Sequence, residues 1–329
     1  MNKRFFIMMC LSLLIGLSAW ADEPYTEFEY NGTVVINGLK FAVTLPEDGK
    51  GEALLMGVDD TSNARVATRG IMDPKMALEL KLKFKESDVT RVSGGHLGRP
   101  TLPPNTDWIG EARKRPTQQS SVANVMNVRA ADVDPDKEYT CELKVIGYSA
   151  LQGTEITELT IPEGVTTIWG SAFDGCYNLQ KVSLPSTLLS LGFRAFADCN
   201  SLTEISIPNS VTEIQPGAFM NCKGLQKVSL PSGLKEIPRY MFHYCEKLET
   251  VTGGEAVTKI DQRAFECCYK LADYALPSAL DSIGERAFLY CQQLKSVTIP
   301  RTLRGFGVSA FAGCSNLEDV TFESGSALK

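Results

Sequence analysis

The sequence predicts a repeat solenoid, in which coils of one fixed length each give a short strand to a parallel sheet and a short turn to the opposite face. Three observations predict it. Phe173, Phe196, Phe219, Phe242, Phe265, Phe288 and Phe311 stand 23 residues apart without a slip. Cys176, Cys199, Cys222, Cys245, Cys268, Cys291 and Cys314 follow each Phe by three. Pro162, Pro185, Pro208 and Pro231 keep the same step, Gly254 stands in the fifth copy, and Pro277 and Pro300 resume the column. A fixed period of this size marks an array whose units bury their apolar faces only against their neighbours.

Each element of the unit follows from its residues. Leu179, Val182 and Leu184 lead to Pro185 with apolar residues alternating in the second half, which predicts a short strand facing a core and closed by the proline. Strands recurring once per coil lie parallel and about 4.8 Å apart, so the eight from Leu159 to Phe322 predict a sheet roughly 35 Å long. In Gly170-Ser-Ala-Phe-Asp-Gly-Cys the spacing of Phe173, Cys176 and Leu179 predicts one short helical turn on the other side. Stacked Phe and Leu columns, at about 1.5 to 3 kcal/mol per buried side chain, offset the entropy of ordering a thin chain.

The unit I-P-x-x-[VL]-x-x-I-x-x-x-A-F-x-x-C-x-x-L resembles the Treponema-type leucine-rich repeat of BspA-like bacterial surface proteins. IPNSVTEIQPGAFMNCKGLQKVSL matches it at nearly every defining position, and the resemblance runs from about Leu143 to the C-terminus. It implies a leucine-rich-repeat right-handed superhelix with a parallel sheet on one face and short helical turns on the other. It also implies a secreted or surface-displayed protein, in a family often implicated in adhesion to host proteins or other cells. No ligand is implied, because function varies within a repeat fold.

Ahead of the repeats, residues 1–21 read as a signal peptide. Lys3 and Arg4 precede the apolar run from Phe5 to Trp20, and Ala19-Trp-Ala21 offers small residues where a signal peptidase reads, which places cleavage near Ala21. The run is short for a membrane anchor, and no later segment is apolar enough for stable membrane insertion. The expected address is secreted or cell surface, with the periplasm as an alternative.

Residues 22–112 read as a small β-rich cap. Phe28 to Val58 is punctuated by the hairpin signals Asn31-Gly32, Asn37-Gly38 and Pro46-Glu-Asp-Gly49. Met76 to Phe84 alternates Leu78, Leu80, Leu82 and Phe84 against Glu79, Lys81 and Lys83, one half-buried strand. Such a domain would cover the N-terminal edge of the solenoid. Residues 113–140 read as a linker or flexible insertion, and 141–329 as the solenoid. The solenoid opens with a degenerate copy around Val145 to Leu151 and ends on an incomplete copy at Phe322. An uncapped end either pairs with another molecule or marks a truncated form of a longer protein, and the second is preferred because an exposed end invites aggregation.

Charge and cysteine usage narrow the function. The net charge of -6 becomes -8 once Lys3 and Arg4 leave with the signal peptide, a poor balance for nucleic acid. Of the nine cysteines that remain, seven share one column and are expected to act as small buried hydrophobes, since parallel Cβ vectors suit disulfides badly. Cys141 and Cys267 fall outside it. Cys267 shares its column with Gly175, Asp198, Asn221, Tyr244, Tyr290 and Gly313, which predicts an exposed thiol able to oxidise or cross-link.

Two surfaces are candidate contact sites. The outward strand column Glu158, Lys181, Glu204, Lys227 alternates in sign, which predicts cross-strand pairs on a solvated face. Trp169, Phe193, Tyr240, Tyr244 and Tyr290 break the consensus around the Ala-Phe turn, so that Tyr240, His243, Tyr244 and Tyr290 either form a contact patch on copies four to six or pack between turns. Catalysis finds no support. The two histidines are His96, in a Gly-rich loop, and His243, beside the structural Cys245, and there is no zinc-binding His-Glu motif, phosphate loop or nucleophile elbow. No cofactor or metal is expected. The sequence thus reads as an exported, non-catalytic binding module for an extracellular or host-surface protein or glycan. The alternatives are assembly through the uncapped C-terminal coil and polysaccharide binding by the N-terminal domain.

Overall fold

The computed structural model describes residues 28–36, 39–45, 49–58, 75–77, 81–97, 124–125, 136–326 and 328. The expected signal peptide and the expected hairpin signals at Asn37-Gly38 and Pro46 to Asp48 lie outside the described residues.

Eight described strands precede the coils: β1 (Phe28–Ile36), β2 (Leu39–Val43), β3 (Lys50–Val58), β4 (Lys75–Ala77), β5 (Lys81–Lys85), β6 (Thr90–Leu97), β7 (Asn124–Val125) and β8 (Glu138–Ile146). β1, β2 and β3 form an antiparallel meander, β6 and β7 extend it beyond β1, and β3 runs parallel to β8. β8 runs across the boundary drawn at residue 140. Asn31-Gly32 is not a hairpin turn: β1 continues through it, and the register against β6 shifts between Tyr30 and Gly32. A bulge absorbs the extra residue without ending the strand. His96 lies in β6 and not in a loop. The expected strand from Met76 to Phe84 is two strands with different partners. β5 pairs antiparallel with β8 and buries Leu82 and Phe84 while its lysines face solvent. β4 pairs parallel with Glu158–Thr160, the first strand of the repeats.

Coils of the repeat have three sides, each a ladder between neighbours. The first is the predicted strand, with the column Leu159, Val182, Ile205, Val228, Val251, Tyr274 and Val297 turned inward. At the corner that follows, the carbonyl of each Pro accepts the N–H three residues on, as in Leu188 to Pro185 (3.1 Å) and Val211 to Pro208 (3.0 Å). Gly254 replaces Pro there because its φ is +72°, which a proline ring forbids. Two-residue strands make the second side: Thr167–Ile168, Ser190–Leu191 and Glu213–Ile214 continue the sheet of β8, and Glu236–Ile237, Lys259–Ile260, Ser282–Ile283 and Gly305–Phe306 form another. Sequence patterning did not reveal this ladder, since two residues are too few to show a period of two.

On the third side the expected helical turns do not form. Ser171, Phe173 and Gly175 donate their N–H groups to Phe193, Ala195 and Ala197 of the next coil (2.8, 2.8 and 2.9 Å). A single helical turn would leave most of its N–H and C=O groups without helical partners. Stacked coils satisfy alternate groups from the neighbour and the rest by tight i to i+3 turns, such as Cys176 to Phe173 (3.2 Å).

The interior is columnar. Phe rings stack from Phe173 to Phe311 at centroid separations between 4.8 Å (Phe173–Phe196) and 6.0 Å (Phe219–Phe242), with neighbouring planes within 22° of parallel. Cysteines face inward as free thiols. Each donates to the Phe carbonyl of the preceding coil, for example Cys222 to Phe196 (3.0 Å) and Cys245 to Phe219 (3.2 Å). Cys176 donates to Leu151 (3.1 Å), which stands for Phe in the degenerate first copy. Burial pushes Cys176 and Cys314 up to about 11. Since the thiolate is the nucleophile, iodoacetamide should label the native protein slowly at neutral pH, with Cys314, the half-buried member of the last coil, first. Its rate should climb about tenfold per pH unit toward that value, and denaturant should expose the whole column. Fast labelling of several column cysteines in the native state would contradict this packing.

The first-side ladder is interrupted at two places: Lys181–Ser183 and Glu204–Ser206 stand in separate sheets, and the sixth copy drops out of the ladder. Among the described residues, pairing across the sixth copy shrinks to a single bridge between Thr250 and Asp273. Here Tyr274 takes the place of Val or Ile, buries its ring against Phe265 (5.2 Å) and Phe288 (5.9 Å), and leaves its hydroxyl without a hydrogen-bond partner. The ring reaches farther inward than a β-branched side chain, so the backbone stands out of the ladder.

Candidate functional site

Every full coil has two backbone positions with left-handed φ, two residues before and two after the Phe. The first column is Ser171, Arg194, Gly217, Tyr240, Arg263, Arg286 and Ser309, and the second Gly175, Asp198, Asn221, Tyr244, Cys267, Tyr290 and Gly313, all with φ from 53° to 72°. These residues turn alternate N–H groups the same way, toward the next coil. For an L-residue the conformation costs about 1 kcal/mol or more, least for Gly, Asn and Asp. Gly175, Asp198, Asn221 and Gly313 obey that preference. Tyr244, Cys267 and Tyr290 do not.

Column chemistry explains where the expectation for Cys267 failed. Its neighbours are Gly, Asn and Asp because the backbone requires them, not because the position is exposed, and Cys267 is only 3 % exposed. Burial pushes its thiol above the ordinary range, against the pull of the Tyr269 and Tyr244 hydroxyls. The same contact raises both phenols: hydrogen bonding to Cys267 is the larger cause for Tyr269, and the thiolate's charge for Tyr244.

The four residues expected to form a patch divide into two groups. His243 is 5 % exposed, edge-on to both Tyr240 (5.4 Å) and Tyr244 (4.4 Å). Its Nε2 lies 3.5 Å from Glu266 Oε2, and Arg263 Nε lies 3.4 Å from the same oxygen, ion-pair distances longer than a hydrogen bond. Arg263 also stands over the Tyr240 ring at 5.7 Å. Tyr240 and His243 therefore pack within a partly buried cluster. Tyr244 and Tyr290, 40 % and 48 % exposed, face solvent one on each side of Cys267 along the stack. Tyr269, half-buried beside Cys267, joins them. Its own column gave it no signal, since Tyr177, Asn200, Lys223, Glu246, Gln292 and Ser315 there share no pattern.

On the strand face, register sets Glu158 beside Lys181 and Glu204 beside Lys227. Lys181, Glu204 and Lys227 are exposed, and among the described residues no ion pair joins Glu204 to Lys227. Inter-coil pairing of charges occurs elsewhere, between residues one repeat apart: Glu236 with Lys259 (2.8 Å), Asp281 with Arg304 (2.8 Å) and Lys223 with Glu246 (2.9 Å).

Beneath the first coils lies a buried ionic network that column reading missed. Arg194 donates from Nε and Nη2 to the two oxygens of Asp174 (3.0 Å each) and from Nη2 to Asp198 (2.7 Å), and Asp198 accepts from Asn221 Nδ2. Burial raises the Asp174 carboxyl, and Arg194 draws it back down. The network ties three coils and has no open position, so its role is structural.

No group of His, Cys, Asp and Glu among the described residues could hold a metal ion, and no described helix is long and apolar enough to cross a membrane. The thiol of Cys245, adjacent to the His243 cluster in sequence, is engaged by the Phe219 carbonyl.

Comparison with known proteins follows the architecture. A family model described as a BspA type leucine rich repeat region matches residues 144–272 and 218–327, with six copies. Among solved structures, a leucine-rich repeat protein from Bacteroides ovatus is 22 % identical over 88 % of this chain and 71 % of its own, with a TM-score of 0.50. A leucine rich cell surface protein from Faecalibacterium prausnitzii is 21 % identical over 92 % of this chain and 78 % of its own, TM-score 0.48. A leucine rich repeat protein of T. pallidum is 20 % identical over 84 % and 88 %, TM-score 0.48. At these identities the likeness is one of fold. No curated protein matches the chain.

Proposed function

This chain belongs to the BspA-type leucine-rich repeat family, and from that premise we propose that it is an exported, non-catalytic recognition module that adheres to host or cell-surface proteins through its solenoid. The observation that carries this reading is the triple ladder. Because neighbouring coils satisfy one another's backbone along three sides, the outward residues can vary freely on a stiff, preorganised surface, which reduces the entropic cost of binding. Many weak contacts spread over such a surface add through area and multivalency. The N-terminal run with its cleavage site near Ala21 supports export to the cell surface or beyond.

A second reading, self-association through the C-terminal coil, is favoured by one observation: Phe306, Val308, Val320 and Phe322 are all exposed on the last coils. One experiment separates the two. Residues 22–329 are passed over immobilised extracellular-matrix proteins by surface plasmon resonance, with light scattering on the same sample. Saturable binding by a species of constant mass is the expected result. Absence of binding together with a mass that grows with concentration would replace the first reading by the second.

A further inference from the structure

Resting on the reading of the solenoid as a recognition module, we propose that the ridge of Tyr244, Tyr269 and Tyr290 is a carbohydrate platform for an extended β-1,4-linked hexopyranose chain. Tyr290 is the clearest part of it. Its ring fills the space that a side chain on Gly313 would take, since a Cβ there would come within 2.3 Å of Tyr290 Cδ1 and 2.8 Å of Cε1. The ring is thus laid against the backbone of the next coil, fixed on one side, with about half of the residue open to solvent. A fixed aromatic face is the group that stacks on the apolar C–H face of a pyranose ring. Tyr244 occupies the same column two coils earlier, about 9.6 Å away at the coil spacing, close to the length of a disaccharide unit in an extended β-1,4-linked chain.

Between the two rings the column holds the small, buried Cys267, whose thiol meets the Tyr244 and Tyr269 hydroxyls, so the surface between Tyr244 and Tyr290 is itself made of phenol. Tyr269 flanks Cys267, and Glu246 and Gln292 lie in its column, in the turns of Tyr244 and Tyr290, as partners for sugar hydroxyls. A peptide adding to this face as a strand would need unpaired backbone groups. Here the N–H groups of Tyr244, Cys267 and Tyr290 are already given to Glu266, Leu289 and Ala312 (2.9, 2.8 and 2.8 Å). Recognition must therefore act through ring faces and side-chain polar groups, which is the chemistry of sugar binding. The left-handed backbone at both tyrosines adds a separate indication. The fold would be better served by Gly or Asn at these positions, so the rings are retained against the local preference.

The test is native electrophoresis of residues 22–329 in gels containing hydroxyethyl cellulose or β-1,4-glucomannan, with α-1,6-linked dextran as control. Wild-type protein is expected to be retarded by both β-1,4 polymers and not by dextran. The double substitution Tyr244→Asn, Tyr290→Asn is expected to abolish retardation with an unchanged or higher Tm, because Asn221 already fills the same column. Tyr290→Phe keeps the ring and is expected to retain most of the effect. Retardation undiminished in the double Asn variant would overturn the assignment of the ridge. Lack of retardation by either β-1,4 polymer would overturn the sugar proposal, and binding of the same sample to the matrix-protein panel would show that the recognition reading survives it.

Discussion

Phe219→Ala should destabilise the protein by about 3 to 5 kcal/mol, the range for truncating a buried aromatic side chain. Its ring is fully buried and stacked on both faces, 5.7 Å from Phe196 and 6.0 Å from Phe242, so two coil interfaces lose packing at once. No relaxation can refill the space, because the ladders fix the distance between coils. Phe311→Ala supplies the comparison. That ring stacks within the column only on Phe288, at 5.1 Å, and is partly exposed, so the loss should be about half as large. Urea unfolding followed by far-UV circular dichroism measures both. Stability in a repeat array is a sum of unit and interface terms, and equal losses at the centre and the end would contradict that picture.

Arg194→Met should cost about 3 to 5 kcal/mol at neutral pH, for a different reason. Asp174 and Asp198 would keep their places under the first coils with the neutralising guanidinium gone. The pH dependence has a definite sign. Burial already lifts the Asp174 carboxyl above its ordinary 3.8, and removing Arg194 lifts it further. A carboxyl whose folded value is raised takes up a proton on folding, so the penalty is absent below the ordinary value and grows as pH rises toward the folded one. The variant should therefore approach wild-type stability in acid and diverge toward neutrality. Replacing Asp174 by Leu and Asp198 by Asn in the same chain should recover most of the loss, since a consistent apolar or neutral set leaves no uncompensated charge. A loss independent of pH would place the effect in the packing of the Arg194 side chain and not in its charge.

Much of the fold was legible because the repeat converts local noise into columns. Phe, Cys and Leu each stood out over seven copies and Pro over six, and each took the inward or corner position that its column indicated. What escaped had physical reasons. A spacing of three between Phe173, Cys176 and Leu179 suits a helical turn and a chain of tight turns equally, and the sequence carries no mark of hydrogen bonds made to the next coil. Columns also conceal anything that joins different columns, as the Arg194 network does with partners at separations of 20 and 4. For Cys267 the column itself misled, because polar and glycine residues can report a backbone angle as well as exposure. Of the aromatic ridge, Tyr244 and Tyr290 were visible as breaks in the pattern. His243, equally conspicuous in sequence, is held inside, and Tyr269 became apparent only from its place beside Cys267.

The interruptions of the first-side ladder give the solenoid a mechanical character. Hydrogen bonds between coils run along the stack, so a pull applied to its two ends loads the rungs in series, and the rung with the fewest bonds yields first. The first-side ladder is thin at two such rungs, between Lys181–Ser183 and Glu204–Ser206, which stand in separate sheets, and where one bridge, Thr250 to Asp273, replaces a full strand pair. Under tension the stack should part at these rungs into blocks of coils that stay wound, so the breaks would act as fuses that lengthen the molecule before its core is lost.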